Sequence, residues 1–340
     1  MTGRLRGAIV CPGRGSYGRT QLASLPRGHA IVTALDRIRA DLGRPPVSEL
    51  DQAPAYTPRL HVAGEHASLL TFACSAVDLA AIDHAKVEIV GVTGNSMGFY
   101  TALYAAGALE LEDAARLVET MGAYQTDNVI GHQLVYPIVD ADWRSDPALA
   151  AAVDEALAFP GVFVSIRLGG SIVLGTDAAG VDHVRRVLPT LDRGGVVYPL
   201  QLPLHSAFHT PLMAATGERA RAELADLAIR SPAITLIGGD AVVYRPWADP
   251  RRLWDYTLGA QIDEPFDLER AVAAVLGELA PDVLILPGPG DNLGGALAQI
   301  LIARRWRGLT CRGDFLAAQA SDHPIVIGMA RSDQRARITA

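Results

Sequence analysis

Short, wholly apolar runs closed by glycine or proline alternate along most of this chain with longer segments of helical period. Gly7 to Cys11, stopped by Pro12, and Val87 to Val92 read as buried strands. Ile31 to Leu42, His66 to Ile82 and Leu111 to Tyr124 read as helices. The last carries Glu112 and Asp113 in its first turn, where carboxylates complement the helix dipole. The proline-rich stretch Pro45 to Pro58 predicts a loop. The texture changes between 131 and 204, where the β-like runs Leu134 to Val139, Val162 to Leu168, Ile172 to Gly175 and Val196 to Leu202 enclose two helical segments, Pro147 to Phe159 and Ala179 to Leu191. Strand–helix–strand–strand–helix–strand is the ferredoxin-like order, so an inserted α+β subdomain is expected.

After the insert come a helix (Thr210 to Ala228), a strand (Ala233 to Gly238), a helix (Leu268 to Leu279) and a strand (Val283 to Leu286) running into Pro287-Gly288-Pro289-Gly290. Gly294 to Arg305 reads as the last large helix. Beyond Ala318 only Pro324 to Met329 is apolar, which predicts a loosely held tail. The expected division is a discontinuous α/β core (1–130 and 205–317), the α+β subdomain (131–204) and a C-terminal tail (318–340).

At 340 residues the chain is long enough to bury a large core. Its formal net charge of −7 argues against a nucleic-acid partner. Lys86 is the single lysine, and arginines cluster near the start (Arg4, Arg6, Arg14, Arg19) and the end (Arg304, Arg305, Arg307). These suit a solvated surface or the docking of an acidic carrier. Cys11, Cys74 and Cys311 form neither a disulfide framework nor a metal-ligand spacing, and buried thiols are expected. No charged-then-apolar leader occurs, and no run reaches the ~18 apolar residues of a membrane helix, so a cytoplasmic protein without a membrane partner is expected.

The chemistry concentrates at Val90-Gly91-Val92-Thr93-Gly94-Asn95-Ser96-Met97-Gly98. An apolar strand ending in G-x-S-x-G, with a helical segment next, is the form of a nucleophile elbow. Its glycines let the backbone fold back, and the serine then sits at the positive end of a helix beside free N–H groups. A serine nucleophile needs a base, and the chain has nine histidines. His209 lies in a proline-punctuated loop between a strand and a helix and is one candidate among them. His205 and His209 lack the glutamate and helix of a zinc pair, so no metal is expected. Gly13-x-Gly15-x-x-Gly18 with Asp36 has the outline of a dinucleotide loop, but Pro12 and Pro26 and the missing second half speak against it.

Four segments resemble, in order, the malonyl-CoA:acyl carrier protein transacylase family, which includes the acyltransferase domains of polyketide synthases. Pro12-Gly13-Arg14-Gly15-Ser16 resembles P-G-Q-G-S; Gly94-Asn95-Ser96-Met97-Gly98 with Tyr100 to Leu103 resembles G-H-S-x-G-E-Y-x-A-L; Ser206 to Met213 resembles H-A-F-H-S-P-L-M; Gly288-Pro289-Gly290 resembles the C-terminal G-P-G. The resemblance implies a hydrolase-like core with a parallel sheet and a ferredoxin-like insert. It implies Ser96 as nucleophile, His209 as base, and the backbone N–H groups of Arg14 and Met97 as oxyanion hole. A backbone carbonyl near Glu264-Pro265-Phe266-Asp267 would orient the histidine. No cofactor is implied; a phosphopantetheine thioester of CoA or of a carrier protein is the substrate, and an acyl carrier protein is the partner.

The departures bear on the acyl group. The arginine that holds the malonyl carboxylate in the family falls, twenty-five residues after the serine, on Met121, and a second carboxylate-contacting position falls on His66. Arg14 replaces the usual glutamine, while Asn95 and Phe208 flank the two reactive residues. Burying a carboxylate against methionine costs several kcal/mol. An acyl group other than malonyl, and an uncharged one, is therefore expected, with Arg14 or a protonated His66 as the alternative cation. A thioester hydrolase that clears stalled acyl groups from carriers would use the same serine and histidine.

Overall fold

The computed structural model describes residues 4–340. The chain opens with β1 (Leu5–Cys11), α1 (Ala30–Asp41), α2 (Val47–Asp51), α3 (Pro58–His61) and α4 (Gly64–Ala80), followed by β2 (Val87–Gly94), α5 (Gly98–Ala105) and α6 (Leu111–Asp127). The stretch expected to be a loop thus holds α2: Val47 and Leu50, three apart, bury one face. The Asp51 carboxylate beside them accepts from Tyr17 Oη at 2.7 Å and from the Leu25 N–H at 3.1 Å.

The middle of the chain builds a separate sheet from β3 (His132–Pro137), α7 (Pro147–Leu157), β4 (Val162–Arg167), β5 (Ser171–Thr176), α8 (Ala178–Val187), β6 (Leu191–Arg193), β7 (Val196–Tyr198) and β8 (Leu200–Gln201). The order β4-β5-β3-β8, all antiparallel, is the ferredoxin-like arrangement, and Leu134, Tyr136, Leu174 and Val184 fill its own core. The expected strand from Val196 to Leu202 is divided at Pro199, which has no N–H for a ladder: β7 makes a hairpin with β6, and β8 pairs with β3.

The return leg comprises α9 (Ala214–Glu223), β9 (Leu236–Ile237), β10 (Val243–Tyr244), α10 (Pro250–Thr257), α11 (Ala260–Asp263), β11 (Phe266–Asp267), α12 (Leu268–Leu279), β12 (Val283–Leu286), α13 (Leu293–Ala303), α14 (Arg312–Gln319), β13 (Val326–Gly328) and α15 (Ser332–Arg335). The helix expected from Thr210 is shorter because Pro211 opens on a tight 3-10 turn. The main sheet runs β10-β9-β2-β1-β12-β13, parallel except for β10. This mixed α/β architecture is a mainly parallel core sheet carrying a ferredoxin-like subdomain. Helices cover both faces, so β1 and β12 are apolar almost without interruption.

Two expectations fail here. The tail is not loosely held: β13 pairs in register with β12, Ile327 and Met329 are buried, and Ile338 is wholly enclosed. Its apolar run is too short to show a period, but as the edge of a parallel sheet it needs none. Cys311 is only half-buried, whereas Cys11 and Cys74 are enclosed. β11 pairs with β4 and so ties the core to the subdomain sheet immediately beside the candidate site. Among the described residues no helix is long and apolar enough to cross a membrane.

Candidate active site

The turn between β2 and α5 is built by close approach. A Cβ on Gly94 would stand 2.1 Å from the Gly98 carbonyl oxygen, and one on Gly98 would stand 2.3 Å from the Cys11 oxygen. Only hydrogen fits at either place. The turn forces Ser96 to φ +55°, a left-handed conformation that costs a non-glycine residue roughly 1–3 kcal/mol. Its neighbours hold it there: the Asn95 N–H donates to Cys11 O at 2.9 Å, and Gln261 Nε2 donates to Ser96 O at 3.1 Å.

His209 comes from the loop between β8 and α9, also at positive φ, +63°. Its backbone N–H donates to Ile262 O at 2.7 Å. Gln133 Nε2 and Ser165 Oγ, donating to Phe208 O at 3.3 and 2.8 Å, fix the preceding peptide from the subdomain side. Nδ1 lies 2.7 Å from Gln261 O, so it carries the proton and donates; Nε2 is then the acceptor, 2.7 Å from Ser96 Oγ. Burial pushes the His209 imidazole down to about 4, partly countered by the Gln261 carbonyl, which keeps the ring neutral at physiological pH.

The orienting carbonyl is therefore that of Gln261, on the short helix α11, and not one within Glu264 to Asp267. That segment has turned away to form β11, and Phe266 instead sets its ring 5.4 Å from the His209 ring. Gln261 also accepts from Tyr100 Oη at 2.6 Å through Oε1. One side chain and one carbonyl thus link serine, histidine and α5. No local pattern in the sequence marks Gln261.

Arg14 and Met97 sit on the two segments that meet beside Ser96. Gly13 allows the contact, since a Cβ there would come within 2.7 Å of Asn95 O. Neither the Arg14 nor the Met97 backbone N–H donates to another described residue, as an oxyanion hole requires.

These groups open on a cavity of about 300 Å³ between core and subdomain, whose lining includes Arg14, Asn95, Met121 and Phe208. Val135, Ile166, Leu168 and Val173 form an apolar wall on the subdomain side. His66, expected to contact substrate, does not line the cavity. Ser68 faces it from α4, and two residues along a helix is a rotation of roughly 200°, so His66 is turned away. Its Nδ1 meets Leu60 O at 3.0 Å, and burial lowers its pKa, so it offers no cation. Gln125, one turn beyond Met121 on α6, lines the cavity and was legible from that spacing. His205 does not join His209 as a ligand pair; its Nε2 accepts from Arg14 Nε at 3.2 Å. Among the described residues no cluster of three His, Cys, Asp or Glu could hold a metal.

A serine on a strand-to-helix elbow, a neutral histidine on its hydroxyl and two nearby N–H groups without partners among the described residues are the groups that acyl transfer through a serine ester would need. Among curated proteins the chain is 26% identical to the malonyl CoA-acyl carrier protein transacylase of Escherichia coli O157:H7 over 297 residues, 86% of this chain and 92% of that one. It is 25% identical to the Salmonella typhimurium enzyme of the same name, over 95% and 98% of the two chains. A match of 29% to the polyketide biosynthesis protein ThaF of Burkholderia thailandensis spans 46% of this chain and 13% of that protein. An acyl-carrier-protein S-malonyltransferase structure from Burkholderia pseudomallei superposes with TM-score 0.74, 22% identity and 98% coverage of both chains. A malonyl-transacylase solved with its type II polyketide synthase acyl-carrier protein superposes at 0.73, with 18% identity, over 97% of this chain and 98% of that one. No protein-family profile matches. Fold and relatives place the chain among acyltransferase enzymes.

Proposed function

We propose that this enzyme moves an acyl group other than malonyl from a CoA or carrier-protein thioester, through an ester on Ser96, to the phosphopantetheine thiol of an acyl carrier protein, in polyketide or related secondary metabolism. The observation that carries this reading is the 2.7 Å contact between Ser96 Oγ and His209 Nε2, with Nδ1 held by Gln261 O.

Ser96 Oγ attacks the thioester carbonyl as its proton passes to His209 Nε2. The oxyanion meets the Arg14 and Met97 N–H groups. The C–S bond breaks, and the leaving thiolate takes the proton from the imidazolium. The carrier thiol then gives its proton to Nε2 and attacks the ester, and collapse returns a proton to Ser96 Oγ. Gln261 O stabilises the imidazolium in both halves, so no triad carboxylate is required. Met121, with 3% of its surface exposed, offers a malonyl carboxylate no counter-charge, which supports a different acyl group.

Intact-protein mass spectrometry with a panel of acyl thioesters tests the reading. An acyl adduct is expected on the native enzyme, absent in Ser96→Ala, and discharged onto a holo-carrier protein. Discharge to free acid alone would overturn transfer in favour of hydrolysis, and an adduct that survives Ser96→Ala would overturn the nucleophile.

A further inference from the structure

Arg14 brings a backbone N–H to the site, while its guanidinium is engaged elsewhere, at three points. Nε donates to His205 Nε2 at 3.2 Å, and Nη2 donates to Leu204 O. Nη1 is enclosed without a partner where α4 and α6 meet, 2.8 Å from the place a Cβ on Gly64 would take. His205 is itself held: Nδ1 donates to Pro203 O at 2.9 Å, so Nε2 keeps the lone pair that accepts from Arg14. Burial lowers the Arg14 pKa only to about 9, so the side chain stays a full set of donors at neutral pH.

The two segments joined in this way have little structure of their own. Residues 12–18 belong to no helix or strand, and Arg14 stands between Gly13 and Gly15, the latter at φ +94°. Glycine neighbours leave that backbone a wide conformational range. On the core side it is held by Ser16 Oγ, donating to Gly13 O at 2.9 Å, and by Asn292 Nδ2, 3.5 Å from Gly15 O. The second segment, 202–208, leads directly into His209 and also lies outside every helix and strand. Within it Leu204 sits at φ +56° with its side chain 46% exposed, so packing does not impose this left-handed conformation. The contacts on the Leu204 carbonyl and on His205 do. A guanidinium holds several N–H groups in one rigid plane and spans both acceptors, whereas a glutamine amide at this position has a single NH2 group.

We propose that the Arg14 side chain is a positioning residue: it ties the oxyanion loop to the histidine loop and so holds the Arg14 N–H and the His209 ring in one frame around Ser96. This rests on the Ser96 acyl-enzyme. The tie serves the transition state without binding the acyl group, so its loss falls on the rate and leaves KM nearly unchanged.

The test is single-turnover acylation by the acetyl, butyryl and malonyl thioesters of N-acetylcysteamine, each over a range of concentrations. The native enzyme is compared with Arg14→Met, which keeps the backbone N–H and most of the bulk but no donor, with His205→Phe, which keeps a ring but no acceptor, and with the double variant. Arg14→Met is expected to lower the saturating rate about 10- to 100-fold, the cost of a displacement of roughly 1 Å among reacting groups, and to move half-saturation by less than about 3-fold. Its urea midpoint should be kept or raised, because a buried cation with an unused donor has been removed. The double variant should be no slower than Arg14→Met alone, since both changes break one tie. A native rate in Arg14→Met, a loss confined to half-saturation, a rate loss matched by a fall in the urea midpoint, or losses that multiply in the double variant would each overturn the proposal. If only a fluorophosphonate reacts with Ser96, its labelling rate carries the same comparison, because its phosphoryl oxygen uses the same N–H groups. If neither thioester nor fluorophosphonate modifies the native enzyme, the serine reading falls first and takes this one with it.

Discussion

The neutral His209 sets an acid limit on acylation that can be worked out from its surroundings. The imidazole is almost wholly enclosed, and burial lowers its pKa to about 4 although the Gln261 carbonyl favours the protonated form. At pH 5 a group titrating at about 4 is roughly nine-tenths deprotonated, whereas an ordinary histidine near 6.5 would be about 3% deprotonated, a roughly 30-fold difference in competent base. Single-turnover acylation by an N-acetylcysteamine thioester, followed from pH 3.5 to 8, should hold its rate down to about pH 5 and fall only toward pH 4. The same burial acts on stability. The folded pKa lies below the unfolded one, so between about 6.5 and 4 the unfolded chain binds a proton that the folded chain refuses. Stability therefore falls as pH drops through that window, by up to about 3 kcal/mol from this residue. His205, lowered to about 3 by burial and by the Arg14 cation, adds in the same direction. An acylation limb centred near pH 6.5 would refute the reasoning, because it would mean that the ring is solvated and the 2.7 Å contact with Ser96 is not maintained.

Two further perturbations follow from the same contacts. Gln261→Ala leaves the enclosed Tyr100 hydroxyl without its acceptor and Ser96 O without its side-chain donor. Ser96 O keeps the Phe99 N–H at 2.9 Å, so the Tyr100 hydroxyl is the one orphaned group, and at ~1–3 kcal/mol for it urea unfolding should show a loss of about 1–3 kcal/mol, with slower acylation; a loss below about 0.5 kcal/mol would show that Gln261 does not hold the elbow. Removal of residues 318–340 strips Ile325, Val326, Ile327, Met329 and Ile338 from the core, all at most 5% exposed. At about 1.5–3 kcal/mol each this approaches the whole stability of a domain, so the truncated chain should be insoluble or lack near-UV dichroism, and a cooperative unfolding transition in it would contradict the placement of β13.

What could be read from the sequence was what local chemistry dictates. Gly94, Ser96 and Gly98 announce the elbow because the turn permits nothing larger at its glycines, and that constraint is written in adjacent residues. The ferredoxin-like insert was legible because its strands and helices keep their periods in order. β13 was not, because three residues on a sheet edge carry no period, and their strand character comes from pairing with β12, some forty residues earlier. Gln261 was invisible for a related reason: its role is carried by a backbone carbonyl, which every residue possesses, and by an amide joining three segments far apart in the chain.

The pair Arg14 and Met121 shows how far position-by-position reading can mislead. Taken singly, Met121 is a lost cation and Arg14 a substituted glutamine. The fold places both on one cavity, where the Arg14 guanidinium reaches the Gly122 and Gln125 stretch of α6 that follows Met121. A charge can cross from one wall of a cavity to another only if the receiving wall tolerates its bulk. Gly64 and Gly122 provide that tolerance: each packs so closely on the other's carbonyl oxygen, at 2.5 and 2.6 Å from an added Cβ, that no side chain fits between. The surroundings of Met121 speak against an anionic acyl group, and the neighbouring Arg14 guanidinium spends Nε and Nη2 on His205 and Leu204 O while its Nη1 is enclosed against Gly64, so the charge it carries is directed into the protein.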